Sequence, residues 1–301
     1  MNKEVCNNFL YVTTKFPDKL GSDGKYYFND DQHFKVYCSN QNCVNELEKI
    51  NAGCLYLFDT FFKDSSVFKS VANSNINIVE YIIIWLSYML NLKNNEQGNS
   101  INFFYTTNIN NDKYQKPITG VTEYNSYKDL IDKKHDLTKV DIKDISKFYD
   151  AFKTLCEMYS EFDENTSNCT KCSDKANQFV KKYQELDGDS NNTEGTSYNK
   201  ILSTLSTDYN NLKNKCSNIP TLPEVNTSQN TPKSPGQNSA QTSEITPLSS
   251  SIGNKLIPVL SIFGAIVFFL GIFYKYSLFK SRKRAQKQYL REKLKNKEEN
   301  E

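Results

Sequence analysis

The chain has 301 residues, with 37 Lys/Arg against 35 Asp/Glu, two histidines and eight cysteines. That length leaves room for one sizeable folded body plus appendages. Ahead of residue 275 no basic patch is interleaved with aromatics, which argues against nucleic acid as a partner. His33 and His135 stand in no triad context, so acid–base catalysis has no recognisable machinery here. No cofactor motif, no catalytic residue and no small-molecule substrate is expected.

In chain order, "MNKEVCNNFLYVTTKF" has neither the apolar core nor the small-residue cleavage site of a secretory signal. From Val44 to Phe62 apolar residues recur at three-four spacing (Leu47, Ile50, Cys54, Leu55, Phe58, Phe61, Phe62), which predicts an amphipathic helix. Residues 77–92, "NIVEYIIIWLSYMLNL", are greasy enough to raise a membrane question. Crossing about 30 Å of hydrocarbon takes roughly 20 apolar residues, whereas this run admits Glu80 near its start and ends in Asn91 and Lys93. It predicts the central core helix, with Trp85 packed inside. Residues 93–126 are polar and broken by Gly98, Pro117 and Gly120, a long connection with one or two short helices. Helix returns over 141–162, with Asp141 as cap and a stripe of Ile142, Ile145, Phe148, Phe152, Leu155, Tyr159 and Phe162. It returns again over 173–186, capped by Ser173 and stopped at Gly188, and over 197–216. No strand-period run is long enough for a sheet. The expected class is all-α, a disulfide-tied helical body over 1–218.

Composition then changes. Residues 219–254 hold Pro, Ser and Thr with almost no large apolar residue, which predicts a disordered stalk. Residues 256–274, "LIPVLSIFGAIVFFLGIFY", carry no charge and are long enough to span a bilayer. The last segment, 275–301, has ten Lys/Arg against four Glu, which leaves 27 basic and 31 acidic residues ahead of it. The positive-inside rule puts this tail in the cytosol and the large N-terminal part outside. Membrane lipid is therefore an expected partner, through the span and through the tail's cations on an anionic leaflet.

All eight cysteines, Cys6, Cys38, Cys43, Cys54, Cys156, Cys169, Cys172 and Cys216, precede the span. An even number confined to the external side is what disulfides in an oxidising compartment produce, so all eight are disulfide candidates, with pairing open. "CTKC" at Cys169–Cys172 also matches half of a zinc knuckle completed by Cys38 and Cys43, or a redox pair. The compartment favours structural crosslinks, and no metal is expected. Asn165, Asn168, Asn191 and Asn226 fit the N-glycosylation pattern, although an Asn-rich chain produces such matches by chance.

The early Cys6, "YIIIWLSYMLNLK", "LIDKKHDLTKVDIKDISKFYDAFKTLCEMY", the stalk, the single span and the terminal "SRKRAQKQYLREKLKNK" together resemble the Plasmodium interspersed repeat (PIR) variant antigens of the Cir/Yir/Bir type. That resemblance implies a variable antigen exported by a malaria parasite to the infected host cell surface or the vacuolar membrane. Antigenic variation, immune evasion and adhesion are the implied roles, and antibodies or a host-cell receptor the implied partners. It transfers no catalytic residue. The alternative is a vacuolar-membrane ligand-binding or trafficking component never displayed at the cell surface.

Overall fold

The computed structural model describes residues 1–30, 32–93, 100–163, 169, 172–216 and 218–223. All of them fall in one compact unit, Met1–Gln229. Twelve α-helices follow in order: α1 (Lys3–Lys15), α2 (Glu46–Phe62), α3 (Ser65–Ser70), α4 (Ile78–Asn91), α5 (Ile101–Phe104), α6 (Asp112–Gln115), α7 (Tyr127–Asp132), α8 (His135–Thr138), α9 (Ile142–Ser146), α10 (Tyr149–Glu161), α11 (Ser173–Asp187) and α12 (Ser197–Lys213). No strand occurs among the described residues. The body is helical throughout.

The greasy 77–92 run is the centre of the core. In α4, residues 78–87, Met89 and Leu90 are all buried, so the helix presents an apolar surface on every face and is enclosed on every face. Trp85 is 0% exposed. Helices α2, α9 and α10 pack on α4, and α1 and α11 pack in turn on α10. Among the described residues no helix is long and apolar enough to cross a membrane. Glu80 shows why α4 is a core helix: it is only 7% exposed, yet its carboxylate meets Lys134 Nζ at 2.6 Å and accepts from Thr204 Oγ1 at 2.8 Å. A buried charge needs such a partner. Gly53 of α2 marks the closest approach, since a Cβ there would lie 2.6 Å from Trp85 Cη2.

A second buried carboxylate ties both ends of the body. Asp208 of α12, 6% exposed, faces the Met1 ammonium at 2.5 Å and accepts from the Tyr81 hydroxyl at 2.6 Å. The Tyr159 hydroxyl donates to the carbonyl of the same residue at 2.8 Å. Tyrosines recur in this role because each ring buries apolar area while its hydroxyl still finds a partner.

Several boundaries differ from the spacing-based expectation. Helix α2 begins at Glu46, capped by Asn45, whose side chain accepts from Glu48 N at 2.8 Å; Val44 lies outside it and is 79% exposed. The 141–162 pattern splits into α9 and α10, although Asp141 caps α9 as expected. Cys172, not Ser173, occupies the cap position of α11, with no side-chain bond. Helix α1 has no counterpart among the predicted elements. The 93–126 connection does contain short helices, α5 and α6, but it is no free loop: Phe104, Ile109, Tyr114 and Tyr124 are buried. Tyr114 donates to Asn51 Oδ1 at 2.9 Å and Tyr124 to the Phe62 carbonyl at 2.8 Å. Past residue 218, Ile219 is still buried and the Tyr209 hydroxyl donates to the Pro220 carbonyl at 2.7 Å. The rest of the expected stalk, the 256–274 span and the 275–301 tail lie outside the described residues.

Candidate functional site

The eight candidate cysteines divide evenly. Cys38 is bonded to Cys43, with Cα atoms 4.9 Å apart, and Cys169 to Cys216, with Cα atoms 5.8 Å apart. The second bond ties the segment before α11 to the end of α12. Of the eight candidates, Cys6, Cys54, Cys156 and Cys172 are free and buried. Cys6, Cys54 and Cys156 sit on helix faces turned into the core, and Cys172 is buried at the cap of α11, where a thiol packs as a small apolar group. Burial pushes the Cys54 thiol up to about 12. Burial first, and then the neighbouring Cys6, pushes Cys156 up as well. Cys169 and Cys172 of "CTKC" are not joined to each other; Cys172 lies against the Met158 carbonyl at 3.4 Å. Cys38 and Cys43 are bonded to each other rather than gathered with Cys169 and Cys172.

The histidines are apart from one another. His33 meets the Tyr11 ring edge-on at 5.9 Å, and His135 opens α8 on the surface, its Nδ1 3.1 Å from Thr138 Oγ1. Asn191 is exposed in the turn before α12. Asn165, Asn168 and Asn226 lie outside the described residues.

What sequence reasoning missed is a cleft of about 410 Å³ between the turn that leads into the Cys38–Cys43 loop, the C-terminal half of α2, and α6 with the segment after it. Its walls bring together residues far apart in the chain: Val36 and Tyr37; Leu55, Asp59 and Lys63; Lys113, Lys116, Pro117 and Ile118; and Tyr127. The loop is fixed from several sides. Glu48 accepts from Ser39 N at 2.6 Å and Val44 N at 3.0 Å. Desolvation works against the Glu48 carboxylate, but these hydrogen bonds outweigh it and hold the carboxyl below its ordinary range. Asn40 and Gln41 at the loop tip take positive φ, 50° and 59°, a region costly for side-chain-bearing residues. The Cys38–Cys43 bond closes the loop over that strain.

The back of the cleft is an acid whose oxygens are already engaged. The Tyr37 hydroxyl donates to Asp59 Oδ2 at 2.7 Å and the Tyr127 hydroxyl to Asp59 Oδ1. Burial chiefly, and then the Asp59 carboxylate, pushes both phenols above their ordinary range, so both are neutral donors at physiological pH. Lys113 Nζ donates to the Tyr37 carbonyl at 2.5 Å. Lys63 and Lys116 are exposed and form no ion pair or hydrogen bond with any described residue. Val36, 68% exposed, projects beside them.

Among the described residues no group of three or more His, Cys, Asp or Glu is arranged to hold a metal. Fold and cleft together define a helical, disulfide-tied module with a preformed, cation-rimmed recess. The model of the Plasmodium variant antigen protein family Cir/Yir/Bir matches residues 6–275, and the chain belongs to that family. A solved Plasmodium PIR protein ectodomain is similar over 75% of this chain and 98% of its own length, at 34% identity and a TM-score of 0.57. No curated protein matches.

Proposed function

We propose that this chain is a single-pass membrane antigen of a malaria parasite, exported to the infected host cell. Its helical body stands outside the membrane on the Pro/Ser/Thr-rich stalk, and its basic tail lies in the cytosol. Antigenic variation and immune evasion are its role, with antibodies or a host-cell receptor as partners. The observation that carries the reading is segregation: every cysteine, including the four joined in two disulfides, precedes residues 256–274, and ten Lys/Arg follow them. Disulfides persist in oxidising compartments and cations stay on the cytosolic side, so two independent rules give one orientation. The family match supports the class of protein, and the similar ectodomain supports the body as a separate folded part.

Protease shaving of intact infected cells, read with one antibody to the body and one to the tail, tests this directly. Digestion of the body with survival of the tail is the expected result. The opposite pattern reverses the orientation. Digestion only after the host-cell membrane is opened places the body at the vacuolar membrane and ends the surface-display part.

A further inference from the structure

We propose that the cleft beside the Cys38–Cys43 loop is a binding site for an acidic peptide segment with an apolar anchor side chain. The inference goes beyond antigen display and does not depend on where the chain is displayed.

Charge points to an acidic ligand. Three lysines, Lys63, Lys113 and Lys116, rim the recess, and the carboxylate behind them has a tyrosine hydroxyl on each oxygen. An incoming carboxylate therefore meets ammonium groups, two of them uncommitted among the described residues, while each oxygen of the Asp59 carboxylate already accepts from a tyrosine hydroxyl. Several other lysines of the body are used internally: Lys134 on Glu80, Lys153 on Asp18, Lys175 on Glu157 and Glu161. In the cleft Lys63 and Lys116 are left facing solvent together.

Shape and lining point to a peptide rather than a sugar. The recess is lined by aliphatic surface from Leu55, Pro117 and Ile118, with Val36 overhanging it in water. Such a floor gains from covering a leucine or isoleucine side chain. A polyhydroxylated ring would gain less, because the tyrosine hydroxyls here already donate to Asp59 and the aliphatic floor offers its hydroxyls no partner. At about 410 Å³ the volume lies within the usual range for ligand recesses, roughly 300–1,000 Å³. The rim is pre-formed: the disulfide, the Glu48 clamp and the Lys113–Tyr37 bond order it before any ligand arrives, which lowers the cost of binding.

The test uses the full chain in an uncharged detergent and fluorescence anisotropy of a labelled decapeptide of alternating glutamate and leucine. Saturable binding is expected, weakened about tenfold by the double substitution Lys63→Glu/Lys116→Glu and about threefold by Val36→Ser. All three side chains are exposed, so an unchanged melting midpoint establishes that the variants are folded. A decapeptide of alternating lysine and leucine, and one of alternating glutamate and serine, should each bind at least tenfold more weakly. Absence of saturable binding, equal binding by the substituted proteins, or equal binding of the glutamate–serine peptide would overturn the proposal. So would lysine-dependent binding of a sulfated oligosaccharide in place of the glutamate–leucine peptide.

Discussion

The surroundings of α4 and the cleft beside the Cys38–Cys43 loop use the same residue types to opposite ends. Around α4 each buried carboxylate has a partner: Glu80 holds Lys134 and Thr204, and Asp208 holds Met1 and Tyr81. Every face of the helix is covered. In the cleft Lys63 and Lys116 have no partner among the described residues, Val36 stands in water, and the loop tip keeps two residues at positive φ. Charge and apolar area that would otherwise stabilise the body are left available there. The core is complete in itself, and the cleft is organised with its cations and apolar surface facing solvent.

That contrast can be broken from the core side first. Asp208→Ala removes the partner of the Met1 ammonium and of Tyr81, and should cost about 3–5 kcal/mol in urea denaturation. Near-wild-type stability would show that the pair is incidental. Raising the pH acts on the same region. Burial, foremost among the causes, holds the Tyr81, Tyr114 and Tyr149 phenols well above their ordinary value. Their contribution is fully present below the unfolded tyrosine pKa of about 10 and is lost as pH rises through the folded values. At pH 11 each of the three should have withdrawn about 1.4 kcal/mol. Phenolate absorbance should accordingly rise together with loss of helix rather than before it.

Gly53→Ala forces a methyl against Trp85 and should cost about 1–3 kcal/mol, read as a lower melting midpoint with quenched or shifted tryptophan emission. The smallest effect belongs to the cleft. Lys63→Glu with Lys116→Glu should leave stability within about 0.5 kcal/mol, because neither side chain supports the fold. A larger loss would mean that these lysines serve the body after all, and the distinction between the two regions would weaken.

Much of the fold was legible in the chain, and the reasons are local. The continuous apolar run of α4, ended by Asn91 and Lys93, identifies a core helix by length alone. Asp141 announces its cap, and the three-four stripes of α10 and α12 reach the core as spaced. Helix α1 is hard to read from the chain because its sequence is weakly apolar, although its buried Val5, Cys6, Phe9 and Val12 do fall at three-four spacing. The division of the cysteines was not legible. Pairing depends on which faces meet across 47 residues for Cys169 and Cys216, whereas Cys54 and Cys156 lie on helical stripes that read as core once the helices are placed. The cleft was invisible for the same reason. Asp59, Tyr37 and Tyr127 come from three separate segments, and a carboxylate engaged by two phenols has no local signature.

The proposed orientation of the body is the central claim, and the state of its cysteines tests it. Protein isolated from infected cells under alkylating conditions, digested without reduction and read by mass spectrometry, should yield the Cys38–Cys43 and Cys169–Cys216 peptides as disulfides. Cys6, Cys54, Cys156 and Cys172 should react only after denaturation. Recovery of Cys38, Cys43, Cys169 and Cys216 as alkylated thiols would mean that the body matured in a reducing compartment, and would contradict its display outside the membrane.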